Sequence, residues 1–164
     1  MGPSGRNYRR LRSLLPIELE KFFPKLRSGN YEICSKATGR YNCVAFVNGD
    51  ERHWWEPGTY GSRFYWPPNI SQRDNLEAWV ELFEKQGYEL TNNHDIESGV
   101  EKVALYVSFK DMLPSHVARS DGRIWKSKLG KGQDIEHVSL DVLEGEQQHE
   151  YGIVERVLKK VTRD

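Results

Sequence analysis

Between Asn48 and Pro68 the chain is too crowded with rings and backbone breakers to form a regular helix or a long strand. Trp54, Trp55, Pro57, Gly58, Tyr60, Gly61, Phe64, Tyr65, Trp66, Pro67 and Pro68 all fall within that stretch. It is predicted to be an aromatic loop that packs by burying its rings, which demands a folded body with an apolar core to receive them. The 164 residues suffice for one domain that buries a core without disulfide or metal support. Charged residues (29%) stand beside 37% hydrophobic ones, so the polarity of the chain comes from charge and does not signal disorder.

The 24 basic and 24 acidic residues cancel, and a chain without a net field has no general means of gathering phosphate backbones or anionic lipid. Neither nucleic acid nor membrane is an expected partner. Arg9, Arg10 and Arg12 precede Leu14-Leu15-Pro16-Ile17, but that apolar run is too short for a secretory leader, and a cytoplasmic location is expected. Cys34 and Cys43 are then read as reduced thiols.

Leu11, Leu14, Leu15, Leu19, Phe22 and Phe23 recur at helical spacings that Pro16 and Pro24 interrupt, giving an N-terminal helical arm over residues 1–27 ahead of a single domain over 28–164. From Ser28 to Tyr41 the composition is that of a loop, after which Asn42 can cap a helix beginning at Cys43. A second helix is expected to open at Ser71, with Leu76, Trp79, Val80 and Phe83 on one face and Gly87 as its stop. Strands follow at Val103–Val107 and from His116, and a hairpin turn at Ser120-Asp121-Gly122-Arg123 leads into Ile124–Ser127. Gly130 to His137 reads as irregular, Leu140 and Leu143 as a short helix, and Gly152–Leu158 as strand. Helices first and a strand meander afterwards predict an α+β fold.

The chemistry such a chain can host centres on Cys43. A thiol in the first turn of a helix meets unpaired N–H groups and the positive end of the helix dipole, which favour its thiolate, and nearby backbone donors can hold an oxyanion. His116, opening a later strand, is the best candidate for the base. A third group would orient the imidazole, and Ser127, Asp134 and His137 are its candidates. Asn42 and the aromatic Trp54, Trp55, Tyr65 and Trp66 are the candidate substrate-binding residues, although core packing is the commoner use of such rings. Phosphate-loop and dinucleotide patterns are absent, no close-spaced Cys or His pair marks a metal site, and neither cofactor nor metal is expected.

As a set, Tyr41-Asn42-Cys43-Val44-Ala45-Phe46, His53-Trp54-Trp55, Tyr65-Trp66-Pro67, Glu101–Tyr106, His116–Arg119, Ser127-Lys128-Leu129-Gly130, Asp134-Ile135-Glu136-His137 and Tyr151-Gly152 resemble an uncharacterised bacterial domain family, over about residues 40 to 158. The order of cysteine and histidine is also similar to that of papain-like cysteine hydrolases. That resemblance implies a nucleophile-bearing helix packed on an antiparallel sheet, Cys43 as nucleophile and His116 as base, with Ser127 where those enzymes carry an orienting Asn. The expected function is a thiol hydrolase or acyltransferase acting on an amide or ester bond of a peptide, protein or small acyl or amide substrate. The alternative is a non-enzymatic protein-interaction domain on the same scaffold that uses its Trp/Tyr-rich surface. The oligomeric state is not legible in the chain.

Overall fold

The structure is a computed structural model that describes residues 16–58 and 64–162. Its frame follows from strand alternation. In Pro114–Ser120 (β4) the residues His116 and Ala118 face one side and Val117 the other, and each set joins a different apolar cluster, so both faces of the sheet are covered.

Seven strands form one open sheet. They are Tyr31–Ile33 (β1), Glu89–Thr91 (β2), Val100–Val107 (β3), β4, Trp125–Lys128 (β5), Asp134–His137 (β6) and Ile153–Val161 (β7). Every neighbouring pair is antiparallel, in the order β1-β6-β5-β4-β3-β7-β2. β3 to β5 form the expected meander, β6 extends it by one strand, and β7 returns to lie along the open side of β3. Only three short helices accompany this sheet among the described residues: Pro16–Phe22 (α1), Cys43–Val47 (α2) and Leu76–Glu84 (α3).

The fold is therefore β-rich, and the expected papain-like α+β arrangement is overturned. A long nucleophile-bearing helix cannot form after Cys43, because α2 is stopped within five residues. Asn48 turns its backbone N–H onto Val44 and Ala45 and its side-chain amide onto the Val44 carbonyl, and Gly49 follows at φ 74°. β1 and β6 fall where loop or irregular chain was expected, and β2 in a stretch to which no element was assigned. Each has three or four residues, too few to show a period of two, and each exists through its partner: Tyr31 opposite His137, Leu90 opposite Leu158, Ile135 opposite Ser127.

The second helix begins later than Ser71. Asn75, extended at its own φ and ψ, accepts the Ala78 N–H at 2.9 Å and is the actual cap. Ala78, Trp79, Leu82 and Phe83 are buried against Val103, Leu105 and Leu158. Complete burial of such side chains is worth roughly 1.5–3 kcal/mol each, which holds a helix too short to stand alone. Gly87, at φ 96°, supplies the expected stop.

On the opposite face Leu19, Phe23 and Leu26 pack into the cluster that holds Tyr106, Ala118 and Trp125, so α1 is built into the core. Leu11, Leu14 and Leu15 of the expected arm lie outside the described residues, as do Tyr60 and Gly61 of the aromatic segment. Leu140–Leu143 forms a single 3-10 turn over this same face, its Leu140 carbonyl accepting the Tyr106 hydroxyl at 2.7 Å. No helix among the described residues is long and apolar enough to cross a membrane.

Candidate functional site

Cys43 and His116 do not meet. Cys43 opens α2 and packs with Val44, Val47, Trp66 and Val117, whereas His116 faces the other side of β4, opposite Tyr106 in the register and stacked on Tyr151 at 4.2 Å. The backbone of the sheet stands between the thiol and the imidazole, so the expected nucleophile and base cannot exchange a proton directly. The distance between them in sequence says nothing about parity, and parity separates them.

Each half of the expected pair has its own surroundings. Burial pushes the Cys43 thiol up to about 11, against smaller downward pulls from the backbone of Val117 and Val44 and from Lys128. Lys128 shares that side of the sheet. Its ammonium donates to the carbonyl of Thr38 at 2.7 Å and to that of Gly130, and lies 4.9 Å from the centre of the Tyr41 ring. Burial lowers it to about 8, while Cys43 and Asp134 pull the other way. Asp134 lies directly opposite Lys128 in the β5–β6 register, away from His116, and burial raises its carboxyl above the usual range.

A thiol so placed is a poor nucleophile. With a pKa near 11, its thiolate fraction near neutral pH falls on the order of a hundredfold below that of an ordinary cysteine. Iodoacetamide is accordingly expected to label exposed Cys34 in the native protein and to reach Cys43 only when denaturant is added. Preferential native labelling of Cys43, read by peptide mass mapping, would contradict this geometry.

The structure does bring together three of the predicted residues. His116 Nε2 lies 2.9 Å from Ser127 Oγ, Ser127 Oγ 2.8 Å from His137 Nε2, and His137 Nδ1 2.8 Å from the carbonyl oxygen of Ser139. A carbonyl only accepts, so His137 carries its proton on Nδ1 and its Nε2 takes the Ser127 hydroxyl proton. Ser127 in turn accepts from His116 Nε2–H. His116 Nδ1 is left with a lone pair and no partner among the described residues. All three side chains are fully buried. Burial pushes His137 down to about 4 and His116 well below the ordinary imidazole value, the second helped by the neighbouring His137. The chain is a neutral buried relay, and its outer end grips the Ser139 carbonyl.

The predicted substrate-binding residues are mostly scaffold. Asn42 caps α2 by accepting the Ala45 N–H at 3.2 Å, and it also clasps the backbone of Trp55 through both atoms of its amide. Trp54 and Trp66 are buried, on opposite clusters, with the Trp66 indole N–H on the Ser71 carbonyl. Trp55 is half-buried and donates to Asp50 at 2.8 Å, and Tyr65, 40% exposed, meets it edge-on at 4.7 Å. Most of the aromatic segment thus serves the core, as such rings usually do.

The open concavity on the His116 side went unread in the sequence. A groove of about 550 Å³ runs between the 94–96 loop, the 138–144 segment and the start of β7. Ile96, Trp125, Val138, Leu140, Ile153 and Val154 supply its apolar lining. Val138 and Ile153 are 50% and 38% exposed, while Trp125 is almost wholly buried and offers an edge. Its walls are fixed from beneath. The relay holds Ser139 through His137, Tyr106 holds Leu140, and Lys102 reaches the carbonyls of Asn93 and Asp95 at 2.8 and 2.6 Å. Three segments remote in sequence make this surface, and no local motif marks any of them.

Among the described residues no group of three His, Cys, Asp or Glu side chains is arranged to hold a metal ion. No curated protein and no solved structure matches the chain. A family model does match, over residues 32–159, from within β1 to within β7. The chain belongs to the family described as a domain of unknown function, DUF7689.

Proposed function

We propose that the domain is a non-enzymatic protein-interaction module that takes a polypeptide segment into the groove between the 94–96 loop, the 138–144 segment and β7. The observation that carries this reading is the groove itself: exposed Val138 and Ile153 stand over an apolar floor, on walls held by buried hydrogen bonds. Rigid walls of this kind lower the ordering cost of binding. The thiol-hydrolase expectation finds no comparable support, since Cys43 and His116 face opposite sides of the sheet and Ser127 is sealed from solvent.

The test is a selection of random linear peptides displayed on phage against the folded domain. Enriched peptides are expected to bind about tenfold or more weakly to Ile153→Asp and to Val138→Asp, two variants on different walls that place a charge where apolar contact is needed. Cys43→Ser should bind them unchanged. Peptides indifferent to both wall variants would reject the reading, provided circular dichroism shows each variant folded.

A further inference from the structure

The groove is two-sided in its chemistry. Below lie the apolar side chains, and around the rim stand the carboxylates of Asp95, Asp141 and Glu144. No Lys or Arg lines it, and among the described residues none pairs with those three carboxylates. Two ammonium groups come close to this rim, and both are bonded to backbone carbonyls. Lys102 is turned beneath the loop onto backbone carbonyls and Glu97, and Lys25 reaches the backbone carbonyl of Glu144.

The three carboxylates are not equivalent. One oxygen of Glu144 accepts the Val154 N–H at 2.8 Å, which fixes the start of β7, and one oxygen of Asp141 accepts the Ser139 hydroxyl at 2.5 Å. Asp95 has its backbone N–H on the Asn93 side chain at 3.0 Å and its carbonyl on Lys102, so its loop is held while its side chain faces solvent. Asp95 and Asp141 are therefore the groups with most capacity left for a ligand.

We infer that the segment bound in the groove is basic, presenting Lys or Arg side chains whose methylene stems lie along Ile96, Leu140 and the edge of Trp125 and whose heads reach Asp95 and Asp141. This rests on the interaction-module reading above. A long cationic side chain satisfies both halves of the lining at once, apolar along its stem and charged at its tip. An acidic segment would bring like charges together at the rim, and a purely apolar one would cover the carboxylates without pairing them. The indole edge beside the rim adds favourable packing for the stem.

Two fluorescein-labelled synthetic peptides test it, one alternating Lys with Leu and one with Glu in place of every Lys, read by anisotropy beside the phage selection. The Lys peptide is expected to bind about tenfold or more tightly than the Glu peptide in low salt, with the margin shrinking at high salt. Asp95→Asn combined with Asp141→Asn should remove most of that margin, and Lys or Arg should be enriched among the phage peptides. Equal binding of the two synthetic peptides, or a Lys-peptide affinity lost in Ile153→Asp but untouched by the double Asn variant, overturns the inference and leaves the interaction reading standing. Failure of every peptide, synthetic or selected, to depend on Ile153 or Val138 overturns both.

Discussion

Gly152→Ala is expected to lose about 3–5 kcal/mol of stability, the largest effect of a single added methyl group among the described glycines. Gly152 has φ 83°, a left-handed conformation that costs any other residue strain. It also leaves no room. A Cβ built there would overlap the carbonyl oxygen of Val107 and lie 2.8 Å from its carbonyl carbon and 2.9 Å from Ser108 Cα. Those atoms are backbone, at the end of β3 where Val107 pairs with Ile153, so relief requires prising β7 from β3. Gly49→Ala is the control. Gly49 has a similar φ of 74° but nothing within 4 Å of its would-be Cβ, and should lose only about 1 kcal/mol from strain. Urea unfolding of both variants reads the difference. Equal losses would mean that the close approach of β7 to β3 is not as described. Because Ile153 follows directly, Gly152→Ala should also weaken whatever the groove binds.

Acid should unfold the domain through its buried imidazoles. The His137 pKa is about 4 in the folded protein and near the ordinary 6.5 when unfolded, so the unfolded chain takes up its proton first as the pH falls. Stability from this group is complete above about pH 6.5 and is lost progressively down to about pH 4. The loss there is roughly 3 kcal/mol, since each pKa unit corresponds to about 1.4 kcal/mol. His116 is shifted the same way by its burial and steepens the decline. His137→Asn should flatten the stability profile between pH 6.5 and 4, by about one proton fewer taken up on unfolding at pH 5. Comparing the variant with the parent cancels the carboxylates, among them Asp50 and Asp121, that titrate in both. Parallel profiles would show that His137 is not buried in its neutral form. Protonation at Nε2 below about pH 4 would break the bond from Ser127 while Nδ1–H keeps its hold on the Ser139 carbonyl.

Much of the local structure was legible. Asn42 capping α2, the amphipathic face of α3 closing at Gly87 and the β4–β5 hairpin rest on interactions within a few residues, and the strands at Val103–Val107 and Gly152–Leu158, though they pair with each other across the chain, carry runs of apolar residues that sequence displays. The short strands were not. Tyr31–Ile33 and Glu89–Thr91 are edge pieces whose hydrogen bonds come entirely from β6 and β7, and nothing in three residues announces a distant partner. Ser127 and His137 were singled out as companions of His116, and the structure joins them. The residue they were meant to serve, Cys43, lies beyond the sheet.

The sequence by itself determined which segments could be helix, turn or strand, that the aromatic rings needed a core, and that Cys43 and His116 were worth following, because propensity, capping and periodicity act over a turn or two of chain. Tertiary structure decided the rest. Strand alternation put Cys43 with Lys128 and Asp134 on one face and His116 with Ser127 and His137 on the other, which no spacing along the chain can specify. It also assembled the groove from loops far apart in sequence, because a concave surface belongs to the packing of several elements and to none of them alone.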